Sequence, residues 1–138
     1  MTLRLPTGEV TVLLGEQIVR RRLMAMLDET SGAPAERVTA EAGTGVAERR
    51  RRLEDAGGAA IVLVDRLTDG LDATGRRAVL GALAGVAARG AAVLVDDDDC
   101  VAALAVADGT LRADPLRGLV LEPTDGSVTP LEELYRAS

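Results

Sequence analysis

The clearest alternation of apolar and polar segments lies in the middle of the chain, between residues 59 and 99. Ala59–Val64 is a short apolar run rich in β-branched residues, and it predicts a buried strand that Asp65 closes. From Gly75 to Arg89, apolar residues recur three and four positions apart, which predicts an amphipathic helix. Ala91–Val95 is a second apolar run, followed by four aspartates. Two buried strands joined by a helix form a βαβ unit, so we predict that the strands are parallel neighbours.

The N-terminal pattern predicts a β-hairpin followed by two helices. Leu3–Leu5 and Glu9–Leu14 are typical of strands, and Pro6-Thr7-Gly8 between them is a turn signal. Helical spacing of apolar residues over Ile18–Leu27 predicts the first helix. Val46–Ala56 predicts a second helix, with its four consecutive arginines mostly in solvent.

The remaining segments give shorter predictions. The stretch from Pro34 to Val46 favours a short helix or a loose loop. The C-terminal part predicts, in order, a strand at Val101–Val106, a hairpin turn at Asp108-Gly109, a return strand at Thr110–Arg112, a short strand at Leu116–Leu121 and a terminal helix over Thr129–Tyr135.

Composition excludes several kinds of chemistry. The chain has 138 residues, and we predict one domain over residues 1–138. It contains no histidine, no lysine and one aromatic residue, Tyr135, which excludes histidine bases, lysine Schiff bases and aromatic stacking platforms. A net charge of −6 argues against a general nucleic-acid binder. The single cysteine, Cys100, excludes an internal disulfide. No signal peptide or long apolar run is seen, so a cytoplasmic location without membrane insertion is expected.

The segment IVLVDRLTDGLDATGRRAVLGALAGVAARGAAVLV, residues 61–95, resembles the second half of an ATP-binding cassette (ABC) transporter ATPase domain. In that family a strand ends in the Walker B aspartate, and a catalytic glutamate and a Gly-Leu-Asp D-loop follow. A helix and a strand then lead to a switch histidine. Gly70-Leu71-Asp72 matches the D-loop. The resemblance implies an α/β fold with a mainly parallel sheet of the P-loop NTPase type, with an N-terminal β-hairpin and reduced in size.

The phosphate-binding motif of that family is lost. Where the family has GxxGxGK[ST], this chain has Gly15 to Arg22, with only the first glycine kept and neither the lysine nor the Ser/Thr. Ile18 and Val19 stand where backbone must approach phosphate. Arg21 and Arg22 fall near the lysine position. The resemblance therefore leaves Gly15, Arg21 and Arg22 as a vestigial nucleotide site, with a solvated arginine face as the alternative.

The carboxylates at the strand ends are candidate metal ligands. Asp65 stands at the Walker B position, and Asp97 at the position of the switch histidine. Adjacent carboxylates suit Mg²⁺ or Ca²⁺, which prefer oxygen ligands. Consecutive strand residues point to opposite sides, however, so solvated or helix-capping aspartates are the alternative for Asp96–Asp99. Arg66 replaces the catalytic glutamate and cannot act as a general base.

Much of the family's chain length is also missing. About forty residues separate Arg22 from Asp65, where the family holds a helical subdomain, so we expect that subdomain to be largely deleted around residues 28–58. Gly43–Glu48 partly resembles the family's signature motif but lacks its serine.

These losses predict that the chain does not hydrolyse ATP. The leading hypothesis is a catalytically inactive, truncated relative of the ABC ATPase domain, acting without a cofactor as a binding, regulatory or scaffold subunit. The D-loop of the family lies where two nucleotide-binding domains meet. Gly70, Leu71 and Asp72 are therefore interface candidates, for a homodimer or for a component of an ABC transporter.

Two alternatives stay open. In the first, a repurposed pocket makes the chain an enzyme or a sensor, with Arg20–Arg22 holding an anion or nucleotide and with Asp65 and Asp96–Asp98 holding a cation. In the second, the chain is a receiver-like α/β domain with a Mg²⁺ site near a phosphoacceptor. The second alternative lacks the lysine that receivers need.

Overall fold

Strands and helices alternate along most of the chain. The computed structural model of the protein describes residues 5–30, 35–114, 118–123 and 129–130. The elements are β1 (Val10–Leu14), α1 (Gln17–Thr30), β2 (Ala35–Thr39), α2 (Val46–Ala56), β3 (Ile61–Asp65), α3 (Ala73–Gly81), α4 (Leu83–Ala88), β4 (Ala92–Asp96), α5 (Cys100–Leu104), β5 (Gly109–Asp114), β6 (Gly118–Pro123) and β7 (Thr129–Pro130). Within these ranges, no helix has the length and apolarity needed to cross a membrane.

The strands form one sheet in the order β2-β3-β4-β1-β5-β6-β7. The five strands from β2 to β5 are parallel, and β6 and β7 extend the sheet by antiparallel pairing. The middle strand of the seven is β1, which pairs with β4 on one side and with β5 on the other. The predicted βαβ unit is confirmed, because β3 and β4 are parallel neighbours with Asp65 opposite Asp96.

Apolar side chains cover both faces of the parallel strands, as a sheet between two helical layers requires. Every residue of β4 is buried. Alternation along the strands separates the side chains by type. Leucines point to one face, where they pack with α1, and valines point to the other. The leucine face holds Leu13, Leu63, Leu94 and Leu111, whereas the valine face holds Val10, Val12, Val62, Val64, Val93 and Val95.

The direction of the chain across the sheet decides which face each helix covers. From β1 the chain crosses to the far edge at β2, and it then returns strand by strand through β3 and β4. Right-handed crossovers therefore place α1 on one face and the later helices on the other. Leu23 and Met24 of α1 pack on the leucine face, and Leu53, Val79 and Ala103 of α2, α3 and α5 pack on the valine face.

The three helices predicted before residue 90 all coincide with helical segments of the structure. The second helix has the predicted bounds, Val46–Ala56, and the first helix extends the predicted Ile18–Leu27. The single helix predicted from Gly75 to Arg89 divides at Ala82 into α3 and α4.

The predicted N-terminal hairpin is not present in the sheet. A hairpin partner of β1 would need one of its edges, and both edges are occupied by parallel strands. Leu3–Leu5 lies mostly outside the described residues, and Leu5 itself is not in a strand. The turn signal Pro6-Thr7-Gly8 instead precedes β1, and the Gly8 N–H donates to the Ala91 carbonyl at 3.0 Å.

The predictions after residue 100 were mostly wrong. The strand predicted at Val101–Val106 is helix α5, because the Asp99 carboxylate caps it by accepting from the Ala102 N–H at 3.1 Å. The predicted return strand is part of β5, which pairs with distant β1 on one side and with β6 on the other, and not with the segment before Asp108.

The three remaining predictions had different outcomes: a strand is confirmed at β6, and two segments differ from what was predicted. The stretch predicted as a short helix or loop contains β2, and the predicted strand at Leu116–Leu121 overlaps β6. Thr129-Pro130, the predicted start of a terminal helix, forms β7, and the rest of that helix lies outside the described residues.

Candidate functional site

A reversal in the connections creates a crevice at the carboxyl edge of the sheet. Neighbouring strands β1 and β4 continue into helices on opposite faces, β1 into α1 and β4 into α5. Open α/β sheets bind ligands at such a point, outside the carboxyl ends of the strands. Gly15 follows β1 there, and Asp96–Asp98 end and follow β4.

The guanidinium of Arg20 fills this crevice. Arg20 lies in the first turns of α1, is only 8% exposed, and forms an ion pair through Nη1 with Oδ1 of Asp96. Its Nε donates to the Gly15 carbonyl at 3.0 Å, and Nη1 also donates to the Asp97 carbonyl at 3.3 Å. Because these partners come from the ends of both strands, Arg20 joins the two walls of the crevice.

A second set of contacts covers the outer side of the crevice. The Asp98 carboxylate accepts from Gln17 Nε2 at 3.1 Å and from Arg21 Nη2 at 3.0 Å, and it lies 3.4 Å from Arg20 Nη2. Arg22 lies on the exposed side of α1. Of the predicted vestigial site, Gly15 and Arg21 therefore border the crevice, Arg22 does not line it, and the cationic groups within it contact carboxylates of the same chain.

Gly15 is required by the backbone of a neighbouring strand. Its φ is +125°, and a Cβ added there would lie 2.6 Å from the carbonyl oxygen of Ala113 in β5. A residue with a side chain is strained in that conformation and clashes with the backbone. The packing of β5 against this loop is therefore enough to explain why residue 15 is a glycine, and no bound phosphate is needed to explain it.

The two predicted metal ligands lie on different sides of the sheet. Asp65 forms an ion pair with Arg37 Nη1 at 2.6 Å and with Arg66 Nε at 3.1 Å. Asp97 accepts from Thr68 Oγ1 at 2.5 Å and from the Asp99 N–H at 2.9 Å. Among the described residues, no group of three acidic or cysteine side chains is placed to hold a metal ion.

Burial and charge divide the four aspartates into two pairs. Burial raises the pKa of Asp96 above its usual range despite the charge of Arg20, and burial likewise raises the pKa of Asp97. Partial burial would raise the pKa of Asp98, but hydrogen bonding from Gln17 and the charge of Arg21 hold it below the usual range. The Ala102 N–H lowers the pKa of Asp99.

At pH 7 the Asp97→Asn variant is expected to have a larger free energy of unfolding, and so to be more stable, than the parent protein. The raised pKa means that the buried carboxylate costs stability above its folded-state pKa, and this cost disappears as pH falls to the usual value of 3.8. Asparagine is neutral throughout, so the difference between the proteins should shrink between pH 7 and pH 3.8. Urea denaturation over this range measures it.

Asp99→Asn is the matched control, because the lowered pKa of Asp99 reverses the sign. This variant should be less stable than the parent at pH 7, with the difference again vanishing in acid. The same sign for both variants would contradict the assignment of the two aspartates.

Gly70–Asp72, the segment predicted to match the D-loop, lies at the surface. Gly70 has φ of +81° and is exposed, and the exposed Asp72 caps α3 by accepting from the Gly75 N–H at 2.7 Å. Leu71 is half-buried against the core. Below the segment, buried Arg49 donates through Nη1 to the Leu67 carbonyl at 2.9 Å and the Asp69 carbonyl at 2.5 Å.

Buried arginines are the feature that the sequence prediction missed. Arg49 was predicted to face solvent with its neighbours in α2 but is 4% exposed. Arg37 was not singled out, yet it joins Asp65 to the Met24 carbonyl of α1. Since the chain has no lysine or histidine, any cationic side chain paired with a buried carboxylate must be an arginine.

No protein-family model and no curated protein sequence matches the chain. Solved structures do match in fold. The chain is similar to the archaeal ribosome recycling factor aABCE1, solved in complex with the archaeal ribosomal stalk protein aP1, with a TM-score of 0.58 and 15% identity over 83% of this chain and 34% of that one. It is similar to an RNase-L inhibitor with a TM-score of 0.59 and 14% identity, over the same shares of the two chains.

A further match is the ATP-binding subunit of an ABC transporter, with a TM-score of 0.52 and 12% identity over 96% of this chain and 83% of that one. The chain spans about a third of the first two structures. At these identities the matches show the fold alone. They confirm an α/β fold of the P-loop NTPase type, as in ABC ATPase domains, built here on five parallel strands.

Proposed function

We propose that this protein is a catalytically inactive ABC-ATPase-like subunit that binds or positions a partner protein. The observation that carries the proposal is the Arg20 guanidinium, which fills the crevice at the switch point and pairs there with Asp96. A ligand site at this edge of the sheet would have to be opened by breaking that ion pair.

Breaking the pair is costly in a buried place. Asp96 is fully buried, so removing its cation would leave an uncompensated charge in a medium of low polarity. A nucleotide phosphate entering instead of Arg20 would bring further negative charge next to Asp96 and Asp98. The chain offers no lysine to offset it.

The position of the catalytic glutamate is also occupied by a cation. Arg66 follows β3 with φ of +53°, donates its backbone N–H to the Asp96 carbonyl at 2.8 Å and contacts the Asp65 carboxylate through Nε. The hydrogen bond to Asp65 raises the pKa of Arg66 further. A group that holds its proton in this way cannot polarise water as a base does.

The D-loop segment is the proposed partner surface. Gly70 and Asp72 are exposed, while Arg49 donates to the Asp69 carbonyl just before the segment and the Asp72 carboxylate caps α3 just after it. Preordered exposed segments bind with a smaller entropy cost than disordered ones. The proposed partner is a second copy of the chain or a component of an ABC transporter, in the cytoplasm and without a cofactor.

The test is calorimetric titration of the purified protein with Mg²⁺-ATP and Mg²⁺-ADP, together with a phosphate-release assay. We expect no saturable heat at millimolar nucleotide and no hydrolysis above the buffer rate. Micromolar binding with hydrolysis that Asp65→Asn abolishes would overturn the proposal. Asp108→Asn is the matched control, because this exposed aspartate precedes β5 at the opposite edge of the sheet, where its carboxylate accepts from the Val10 N–H at 2.8 Å.

A second candidate function is a sensor that binds an anion or a cation in a repurposed pocket. Two observations favour it: Oδ2 of buried Asp96 and the buried Nε of Arg21 have no hydrogen-bond partner among the described residues. Titration with MgCl₂ alone and with inorganic phosphate alone distinguishes it from the first proposal. Saturable binding of either ion, lost in Asp96→Asn or Arg21→Met, would favour the sensor.

A further inference from the structure

Helix α5 and the turn after it form an uncharged surface segment. Residues 100–107 read CVAALAVA, although 28% of the chain is charged. The segment turns apolar side chains outwards: Val101 is 77% exposed and Leu104 is 40% exposed. Large apolar side chains that project together from a short helix mark a contact surface more often than scattered single ones do.

An apolar groove lies directly beside this ridge. It has a volume of about 490 Å³ and runs between α3 and α5. Ala73 and Leu80 of α3 form one wall. Val101 and Ala102 of α5, with Ala105 just after this helix, form the other. Among the described residues that line it, the charged ones are Arg77 and Asp99, which have opposite signs.

We infer that a second copy of this chain docks on this surface, with the α5 ridge of each copy in the groove of the other. A two-fold interface requires one patch to be complementary to itself. Here the ridge and the groove share α5, so one rotation can place both ridges in both grooves. The inference rests on the proposed role as a partner-binding subunit, and it identifies that partner as a second copy of the chain.

The net negative charge of the chain favours self-association through this uncharged face over self-association through its other faces. Two copies with net charge −6 repel each other, so they associate best over a surface without carboxylates. Residues 100–107 provide such a surface. At its border, Arg77 of one copy can approach Asp99 of the other. Ala73, on the groove wall, directly follows the D-loop residue Asp72, so the dimer surface is continuous with the proposed partner surface.

The single cysteine makes the inference testable without a structure of the dimer. Cys100 is exposed and is the first residue of α5. A covalent dimer formed by a short bis-maleimide therefore joins two Cys100 side chains. We expect light scattering to show a dimer at micromolar concentration and the reagent to trap it, with trapping lost in denaturant.

Val101→Asp is expected to raise the dissociation constant of the dimer at least tenfold, because it places one carboxylate from each copy in the dimer interface. Ile18→Asp is the matched control: Ile18 is 71% exposed, lies on α1 at the opposite face of the sheet, and should leave the dimer unchanged. Circular dichroism confirms that both variants are folded.

A parent protein that is monomeric at hundred-micromolar concentration would overturn the inference, as would a dimer that Val101→Asp leaves intact while Ile18→Asp disrupts it. The nucleotide titration gives an independent result. A monomer that binds no nucleotide would overturn the self-association alone, whereas a dimer that hydrolyses ATP would overturn only the proposed inactivity.

Discussion

Replacing Arg20 by methionine is expected to lower the free energy of unfolding by about 3–5 kcal/mol, the usual effect of removing one partner from a buried ion pair. Methionine keeps the apolar stem but removes the charge that faces Asp96. The remaining carboxylate is fully buried, and the Gly15 and Asp97 carbonyls each lose a donor. Urea denaturation at pH 7 measures the change.

Arg22→Met is the control on the same helix. Arg22 is exposed, so its replacement should change the free energy of unfolding by no more than about 0.5 kcal/mol. Combining Arg20→Met with Asp96→Leu should recover much of the lost stability, because the second change removes the unpaired charge. A loss below about 1 kcal/mol for Arg20→Met, against the 3–5 kcal/mol expected of a buried pair, would mean that the guanidinium does not close the crevice.

Replacing Gly15 by alanine is expected to cost about 2–5 kcal/mol, from backbone strain and overpacking together. The added Cβ meets the Ala113 carbonyl oxygen at 2.6 Å, and this oxygen belongs to strand β5, which cannot move without disturbing its pairing with β1. The positive φ adds strain that no side-chain rearrangement relieves. Thermal and urea unfolding of the variant test this expectation.

Gly85→Ala is the matched substitution with the opposite expected sign. Gly85 lies inside α4, and an added Cβ there meets no atom within 4 Å. Alanine should therefore stabilise the protein by about 0.5–1 kcal/mol through helix propensity. If Gly15→Ala caused no more loss of stability than Gly85→Ala, it would contradict the close contact between β5 and the loop after β1.

The parallel centre of the fold was predictable because its signals are local and redundant. Two apolar runs ending in aspartate, with an amphipathic helix between them, specify β3, β4 and their parallel pairing. The stripe over Val46–Ala56 likewise specified α2. The pairing of β1 with β4 and β5 was not predictable in the same way. Those contacts join Val10 to Val93 and Thr11 to Gly109, which are far apart in the sequence, and no local sequence pattern indicates such pairings.

The error at α5 has a physical cause in the segment itself. CVAALAVA has no polar residue, so neither the helical nor the strand period can be read from it, and short apolar runs are ambiguous for this reason. Asp99, as a capping residue immediately before the run, was the available signal.

The location of the candidate site was predictable, but its contents were not. Aspartates at the carboxyl ends of parallel strands indicated the edge of the sheet where ligands bind. Which of the sixteen arginines would be drawn to them depends on how α1 crosses the sheet, a tertiary property. The composition held a partial clue: with arginine as the sole cationic side chain, each buried aspartate required a buried arginine or a shifted pKa.

The position of β1 between β4 and β5 has a consequence for synthesis on the ribosome. Of the described strands, β1 is synthesised before the others, yet its two neighbours in the sheet follow only after about 80 and 100 further residues. Until then both of its edges are unpaired, and an unpaired apolar strand is prone to associate with other chains. Sequence-distant pairing of this kind also slows folding. A nascent chain that has not yet emerged as far as β5 should therefore depend on chaperones that shield extended apolar segments.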